Sequence, residues 1–234
     1  MTGRQWNPVA LTAMHHSHVA AGATMAPRNG WMRAARYTSP DEELELLRKT
    51  AGISDVSHRG KLRLQGKDVP ARLTAIGLQD LQVGRVARVP LKIEGGQLTT
   101  TVARLAVDEA AVTTGSGQAP RVADLIGEAP CAHLVDVSSA LACVRAVGPL
   151  AHRLLSAVTE VDFDPDVFGD LHCLEGRIAD VHGMVIRADV GAIPSYEFYY
   201  GREFGQHVWD AVVAAGKPLG AAPVGFEALV KIGS

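Results

Sequence analysis

The sequence predicts an α+β protein whose body consists of two similar lobes, each built around an antiparallel sheet. An Asp-Val-Ser triplet occurs at 55–57 and again at 136–138, and each copy is followed by a strand-like stretch, a glycine and a helix-like stretch. Between the copies lie three β-rich stretches with short turn segments, which is typical of an antiparallel meander. Repeated strand–helix units predict a pseudo-symmetric body. We expect one lobe over about 40–130, a second over about 131–216, and residues 1–39 wrapping between them.

The N-terminal segment contains two helix signals. Residues 14–22 predict a short helix closed by a glycine. A second helix is predicted to begin at Ser39, because a serine cap is followed by a proline and then by acidic residues. This helix should end at Gly52. The intervening residues 23–37 are interpreted as a loop anchored by Trp31.

Alternation of apolar and polar residues predicts the strands of both lobes. In the first lobe a strand over 61–66 leads into a helix over 68–76, and in the second a strand over 141–148 leads into a helix over 149–158. The other predicted elements are strands over 88–91, 98–105, 110–114, 176–180, 184–188 and 196–200, a helix over 203–215, and turns at Gly95-Gly96 and His182-Gly183.

Composition and charge exclude several classes of protein. Hydrophobic residues make up 47% and charged residues 21%, and the formal net charge is −2, so no basic surface indicates binding to nucleic acid or to an anionic membrane. No apolar run approaches the roughly 18 residues of a membrane helix, and no signal peptide is recognised. The three cysteines lack paired short spacing, which favours reduced thiols. We therefore expect a cytoplasmic protein.

Several landmarks resemble the glycine cleavage T-protein (aminomethyltransferase) family. Residues 51–58 are close to that family's Ala-Gly-Leu-Phe-Asp-Val-Ser-His signature, and the Gly-Gly-x-Leu turn at 95–98, Gly148-Pro149 and Trp209-Asp210-Ala211 also match. The resemblance implies a folate-binding body that encloses tetrahydrofolate and transfers one-carbon units. It also implies a short form without the family's C-terminal β-barrel. The second half is similar to the gamma subunit of heterotetrameric sarcosine oxidase as well.

The resemblance implies a set of ligand-binding residues. Glu197 matches a family glutamate, and its carboxylate can accept two neighbouring N–H groups of a pterin. Arg187 matches a family arginine, and the rings of Tyr196 and Trp31 can stack on a flat ligand. We expect these four residues to bind the folate. The structural alternatives are an exposed strand position for Glu197 and a packing anchor for Trp31.

The positions at which the family carries a catalytic aspartate differ in this chain. Thr99 and Thr100 follow the Gly-Gly-x-Leu turn, and a hydroxyl cannot act as a carboxylate base near neutral pH. We take Thr99, Thr100 and His58 as the catalytic candidates of an altered active site. In the alternative interpretation the threonines are ordinary strand residues, and His58 caps or packs a turn.

Two other polar groups lead to weaker expectations. The closely spaced histidines near the N-terminus lack an acid or cysteine partner, so no metal site is expected. Scattered arginines form either an anion site for a folate glutamate tail or a solvated surface. These groups are His15, His16 and His18, and Arg36, Arg59, Arg63, Arg85 and Arg88.

Three functions follow from the sequence. The first is a tetrahydrofolate-dependent methyl or aminomethyl transferase that uses a small-molecule one-carbon donor, or a relative that has diverged to other chemistry. The second is a non-catalytic folate-binding subunit of a larger complex, and the third is a scaffold that has lost the ligand. The missing acids favour the second and third, whereas the N-terminal signature favours the first. Because a missing barrel would uncover apolar surface, we also expect a homo-oligomer or a partner subunit.

Overall fold

A computed structural model describes residues 9–93 and 96–232. In this part of the chain the strands form three sheets. The strands are β1 (Ala10–Leu11), β2 (Thr24–Arg28), β3 (Trp31–Arg36), β4 (Gly52–Asp55), β5 (Gly60–Gln65), β6 (Arg85–Ile93), β7 (Gly96–Ala106), β8 (Glu109–Thr114), β9 (His133–Asp136), β10 (Leu141–Val147), β11 (Cys173–Ile178), β12 (Val181–Arg187), β13 (Ser195–Gly201) and β14 (Ala222–Pro223). The α-helices are α1 (His15–Ala20), α2 (Pro40–Lys49), α3 (Val69–Ala75), α4 (Ala119–Ile126), α5 (Ala151–Ser156), α6 (Gly205–Gly216) and α7 (Phe226–Ile232).

Two large sheets form the body of the molecule. The six-stranded sheet has the order β11-β12-β13-β10-β4-β14, and the five-stranded sheet has the order β6-β7-β8-β5-β9. Neighbouring strands are antiparallel in both sheets except for the edge pair of β4 and β14. A third, small sheet joins β1, β3 and β2. The predicted α+β class with antiparallel sheets is confirmed.

Buried side chains divide the body into layers. Apolar residues from both large sheets, among them Ala103 and Tyr199, pack together between the sheets. The other face of the six-stranded sheet is covered by α5 and α6, and the other face of the five-stranded sheet is covered by α3 and α4. Each helix buries its apolar stripe against a sheet, as the hydrophobic effect requires. The resulting order is helices, sheet, sheet, helices.

The two Asp-Val-Ser copies form matching crossovers between the large sheets. The strand before the first copy, β4, pairs with β10, whereas the strand before the second copy, β9, pairs with β5. In each crossover the aspartate accepts a hydrogen bond from the serine N–H two residues later, at 2.9 Å for Asp55 and Ser57 and at 2.8 Å for Asp136 and Ser138. The predicted repeat is therefore real, and each sheet contains a strand from the other copy. The lobe limits of about 40–130 and 131–216 stay a prediction.

Glycines close the equivalent strands β5 and β10 in the same way. Gly66 and Gly148 have φ angles of 127° and 136°, which favour glycine. A Cβ atom on Gly66 would lie 2.2 Å from the carbonyl oxygen of Cys131, and one on Gly148 would lie 2.4 Å from that of Thr50. Both glycines therefore meet the backbone of the segment that leads into the neighbouring crossover.

Replacement of Gly148 tests this close approach. We expect Gly148→Ala to lower the free energy of unfolding by about 2–4 kcal/mol, because backbone strain and a clash with a carbonyl oxygen add together. Gly22→Ala is the matched control, since Gly22 also has a positive φ (78°) but open space where the Cβ would be. Urea denaturation of both variants measures the difference; equal losses would show that the clash contributes nothing.

The structure corrects the prediction of a loop over 23–37. This segment forms the hairpin of β2 and β3. Asn29 and Gly30 join the strands with φ angles of 51° and 78°, which is typical of the Asn-Gly hairpin turn. Pro27 lies in β2, an edge strand of the small sheet, where a missing N–H is tolerated. The proline obscured an Asn-Gly signal that was present in the sequence.

The predicted turn at His182-Gly183 was also wrong. Both residues lie inside β12, and the turn before it is formed by Ala179 and Asp180 at φ angles of 51° and 64°. Gly183 sits in the strand where a Cβ would lie 2.2 Å from the carbonyl oxygen of Tyr199. Of the predicted Gly95-Gly96 turn, Gly95 lies outside the described residues.

Candidate functional site

A cavity of about 380 Å³ opens where the two large sheets meet the β2–β3 hairpin and α7. This volume is at the lower end of the range of about 300–1,000 Å³ that is typical of small-molecule sites. Its polar lining consists mainly of arginines and threonines. The residues that line the cavity include Arg28, Arg33, His58, Arg59, Thr99, Thr101, Thr113, Thr114, Arg145 and Phe226.

Strand alternation decides which threonines of β7 reach the cavity. Thr99 and Thr101 line it, whereas Thr100 is buried and its hydroxyl donates to the carbonyl oxygen of Val89 at 3.2 Å. Successive side chains of a strand point to opposite faces, so Thr100 lies on the face that packs against helices. Of the two predicted catalytic threonines, the structure brings only Thr99 to the cavity.

Glu197 lies directly behind the cavity, in the layer between the sheets. It is 4% exposed, and its register partner in β10 is Arg145. One carboxylate oxygen of Glu197 is 2.5 Å from Arg59 Nη1 and 3.4 Å from Arg145 Nε. The other accepts a hydrogen bond of 2.6 Å from the hydroxyl of Tyr199. Both oxygens are thus already engaged by protein groups.

This cluster of Glu197, Arg59, Arg145 and Tyr199 sets the charges behind the cavity. Burial alone would raise the pKa of Glu197, but the two arginines outweigh burial and hold it below its ordinary value. Burial lowers the pKa of Arg145, whereas the carboxylate of Glu197 outweighs burial at Arg59 and raises the pKa of that residue. The carboxylate of Glu197 is therefore ionised and is held mainly by Arg59.

His58 lines the cavity as a neutral ring. Burial, followed by the charges of Arg33 and Arg59, lowers its pKa to about 3. Its Nδ1 atom is buried and has no hydrogen-bond partner among the described residues. A ring with such a low pKa is a weak base near neutral pH, although it can still donate or accept a hydrogen bond.

The cavity is strongly cationic. Four of its lining residues are arginines, and among the described lining residues none is Asp or Glu. Two of these arginines, Arg59 and Arg145, form ion pairs with Glu197, which lies behind them. The remaining two, Arg28 and Arg33, come from the hairpin that was predicted as a loop. Sequence analysis did not identify either residue as part of the site, because a predicted loop does not specify which side chains face the threonines.

The other predicted site residues lie elsewhere. Tyr196 faces the helix side of its sheet, where its ring centroid is 5.5 Å from that of Phe163. Arg187 packs over the ring of Tyr196 and pairs with Asp189 at 2.9 Å. Trp31 borders a separate cavity of about 10 Å³. The structure thus brings together His58, Thr99 and, behind two arginines, Glu197.

Residues 9–93 and 96–232 contain no helix that is long and apolar enough to cross a bilayer. The same ranges contain no group of three His, Cys, Asp or Glu side chains that is suited to a metal ion.

The layers of helices and antiparallel sheets define an α+β domain with a cavity between its two large sheets. The chain belongs to the GCVT N-terminal domain family, which it matches over residues 14–232. It is 28% identical to an aminomethyltransferase of Moorella thermoacetica, over 93% of this chain and 61% of that protein. It is also 27% identical to sarcosine oxidase subunit alpha of Corynebacterium sp. strain P-1, over 97% of this chain and 26% of that protein.

Solved structures show the same fold. Aminomethyltransferase T of the glycine cleavage system from Bartonella henselae superposes with a TM-score of 0.83 at 17% identity, over 96% of this chain and 62% of that one. A chain of heterotetrameric sarcosine oxidase from Corynebacterium sp. U-96 gives 0.63 at 20% identity, over 90% and 96%. The sequence resemblance is confirmed. The chain spans about three fifths of the length of the aminomethyltransferases that it matches.

Proposed function

We propose that this chain binds a tetrahydrofolate in the cavity between its sheets and takes part in methyl or aminomethyl transfer from a small-molecule donor. The observation that carries the proposal is the cavity itself, which combines a suitable volume with Thr99, His58 and a cationic wall. Family membership supports folate as the ligand. A cytoplasmic location remains part of the proposal.

Glu197 is the proposed pterin ligand, and Arg59 controls access to its carboxylate. The carboxylate already accepts hydrogen bonds on both oxygens, so a pterin reaches it only when Arg59 turns toward the cavity and releases one of them. The side chain of Arg59 is 27% exposed and lines the cavity, which gives it room for such a movement. Tyr196, Trp31 and Arg187 stay predictions, and their positions give them no part in this proposal.

The transfer step proposed here has no carboxylate base from the described lining residues. Thr99 offers a hydroxyl and His58 a weakly basic ring. Neither takes a proton readily near neutral pH. In this proposal the leaving group of the donor takes the proton that the folate nitrogen loses, and the protein contributes orientation and a cationic wall.

A second candidate is a non-catalytic folate-binding subunit. The lack of an acid among the described lining residues favours it. The name of one structural relative, a heterotetrameric sarcosine oxidase, supports a partner subunit as an alternative to a homo-oligomer. Calorimetry with tetrahydrofolate, its 5-methyl form and a pterin tests binding, and one-carbon transfer from N-, O- and S-methyl donors separates the two candidates. Failure of all three ligands to bind would refute both.

Replacement of Thr99 by aspartate tests the transferase. We expect Thr99→Asp to raise the transfer rate while the dissociation constant of the folate stays within about threefold, because an added base acts mainly on the barrier. Thr100→Asp is the control, since residue 100 faces away from the cavity and a buried acid there should only destabilise. A rate that vanishes in Thr99→Asp with binding intact would indicate a different mechanism.

A further inference from the structure

Two arginines of the cavity wall have no ion-pair partner among the described residues. The guanidinium groups of Arg28 and Arg33 lie 4.8 Å and 4.9 Å from the centre of the same ring, that of Phe226. Among the described residues no carboxylate comes within ion-pair distance of either group. Arg59 and Arg145 differ, because both meet Glu197. The hairpin therefore presents to the cavity two positive charges that are not paired with a carboxylate of the described residues.

The same cavity wall contains buried polar atoms that await a partner. Arg33 Nε, His58 Nδ1 and Thr114 Oγ1 are each buried without a hydrogen-bond partner among the described residues. All three residues line the cavity. Such atoms are rare in native proteins, and their position around one cavity fits the polar groups of a ligand. The unpaired donor of Arg33 requires an acceptor.

Burial and the neighbouring charge of Arg28 also act on Arg33. Together they outweigh the opposing charge of Asp55 and lower the pKa of Arg33 to about 10, so the group remains charged at neutral pH while the balance of its surroundings disfavours that charge. An anion beside it would remove this penalty. Arginine forms a two-pronged contact with a carboxylate, for which Nε and a terminal nitrogen are well placed.

We infer that the ligand of this cavity carries a carboxylate, which is bound by Arg33 and Arg28. The inference rests on the proposed function only in its choice of ligands: the carboxylate belongs either to the glutamate tail of the folate or to an acidic one-carbon donor. In both cases Arg33 decides which molecules enter. Both arginine side chains pack on the Phe226 ring by cation–π contacts, which keep the two guanidinium groups close to each other at the cavity wall.

Binding measurements on the full chain distinguish the two sources. The probes are 5-methyltetrahydrofolate, a pterin without the glutamate tail, sarcosine and sarcosine methyl ester, which lacks the carboxylate charge. If the folate tail supplies the carboxylate, 5-methyltetrahydrofolate binds at least tenfold more tightly than the pterin. If a donor supplies it, sarcosine binds and its ester does not. Equal binding within each pair would overturn the inference and leave the folate proposal standing. If sarcosine binds while its ester, the folate and the pterin do not, the inference stands and the folate proposal is refuted.

Variants locate the carboxylate. We expect Arg33→Gln to weaken binding of the acidic probe about tenfold or more, since a charged hydrogen bond is lost, and Arg28→Gln to weaken it less, because Arg28 is exposed. Arg153→Gln is the control, an exposed arginine on α5 that does not line the cavity. Unchanged affinity in folded Arg33→Gln and Arg28→Gln, or tighter binding of inorganic phosphate than of either acid, would overturn the assignment.

Discussion

Glu197→Ala should lower the free energy of unfolding by about 3–5 kcal/mol. The substitution leaves Arg59 and Arg145 as like charges without their shared carboxylate, in a layer where Glu197 is 4% exposed. Removal of one partner from a buried ion pair is strongly destabilising. Here the two arginines would repel each other without their counter-charge, and hydration on the side that faces the cavity recovers only part of this loss. Urea denaturation measures the loss, and the slope of the unfolding free energy against urea concentration should be the same as in the wild type.

The repeat provides a matched control for this prediction. Arg63 occupies in β5 the position that Arg145 occupies in β10, three residues before the closing glycine, and it pairs with Glu175 at 2.7 Å. The Glu175 side chain is 38% exposed, so Glu175→Ala should cost about 1 kcal/mol or less. Similar losses in Glu175→Ala and Glu197→Ala would contradict the central role of the buried cluster.

The same carboxylate predicts a pH dependence. Because the pKa of Glu197 is lower in the folded protein than in the unfolded chain, its stabilisation is fully present above the unfolded pKa, near 4.3. It is lost as the pH falls through the lowered folded pKa. The stability difference between the wild type and Glu197→Ala should therefore be constant near neutral pH and shrink only in acid.

Asp55→Ala should lower the free energy of unfolding by about 2–4 kcal/mol. Asp55 accepts the N–H of Ser57, and its other oxygen is 3.0 Å from His18 Nε2. His18 is 1% exposed, and its second ring nitrogen is 2.8 Å from the hydroxyl of Tyr37. The substitution leaves two buried polar groups without their partner, each of which costs about 1–3 kcal/mol. It also disconnects the N-terminal helix from the crossover.

Asp136→Ala is the control, because Asp136 makes the same turn with Ser138 but is exposed. We expect its free energy of unfolding to fall by about 1 kcal/mol or less. Thermal unfolding of both variants measures the difference. Burial raises the pKa of Asp55, but the contacts with His18 and Ser57 outweigh it and leave the pKa lowered. The contribution of Asp55 should thus be present at neutral pH and disappear as the pH falls through that lowered value. Equal losses at both aspartates would show that the His18 contact is dispensable.

Local chemistry made much of the fold predictable. The serine cap, proline and acids at Ser39 formed the expected capping box with Glu42 at the start of α2. The meander appeared as β6, β7 and β8, because alternating residues specify a half-buried strand wherever they occur. The exchange of β4 and β9 between sheets was not predictable, since strand pairing depends on contacts between distant segments.

The site was less predictable than the fold for the same reason. Alternation along β7 was readable, but which of Thr99 and Thr100 faced the cavity depended on where the helices packed. Arg145 could have been found through its equivalence with Arg63 in the repeat. Arg33 carried no such signal, because its direction follows from the hairpin turn at Asn29.

The exchanged strands have a consequence for how the chain folds. The register joins Asp55 to Val144 and Leu62 to Asp136, so each large sheet closes only when segments more than seventy residues apart meet. Contacts over such separations slow folding, because the entropy of loop closure must be overcome before they form. A nascent chain that ends before β9 lacks one edge strand of the five-stranded sheet and every strand of the six-stranded sheet except β4. The six-stranded sheet can therefore form only after the second copy of the repeat has been synthesised.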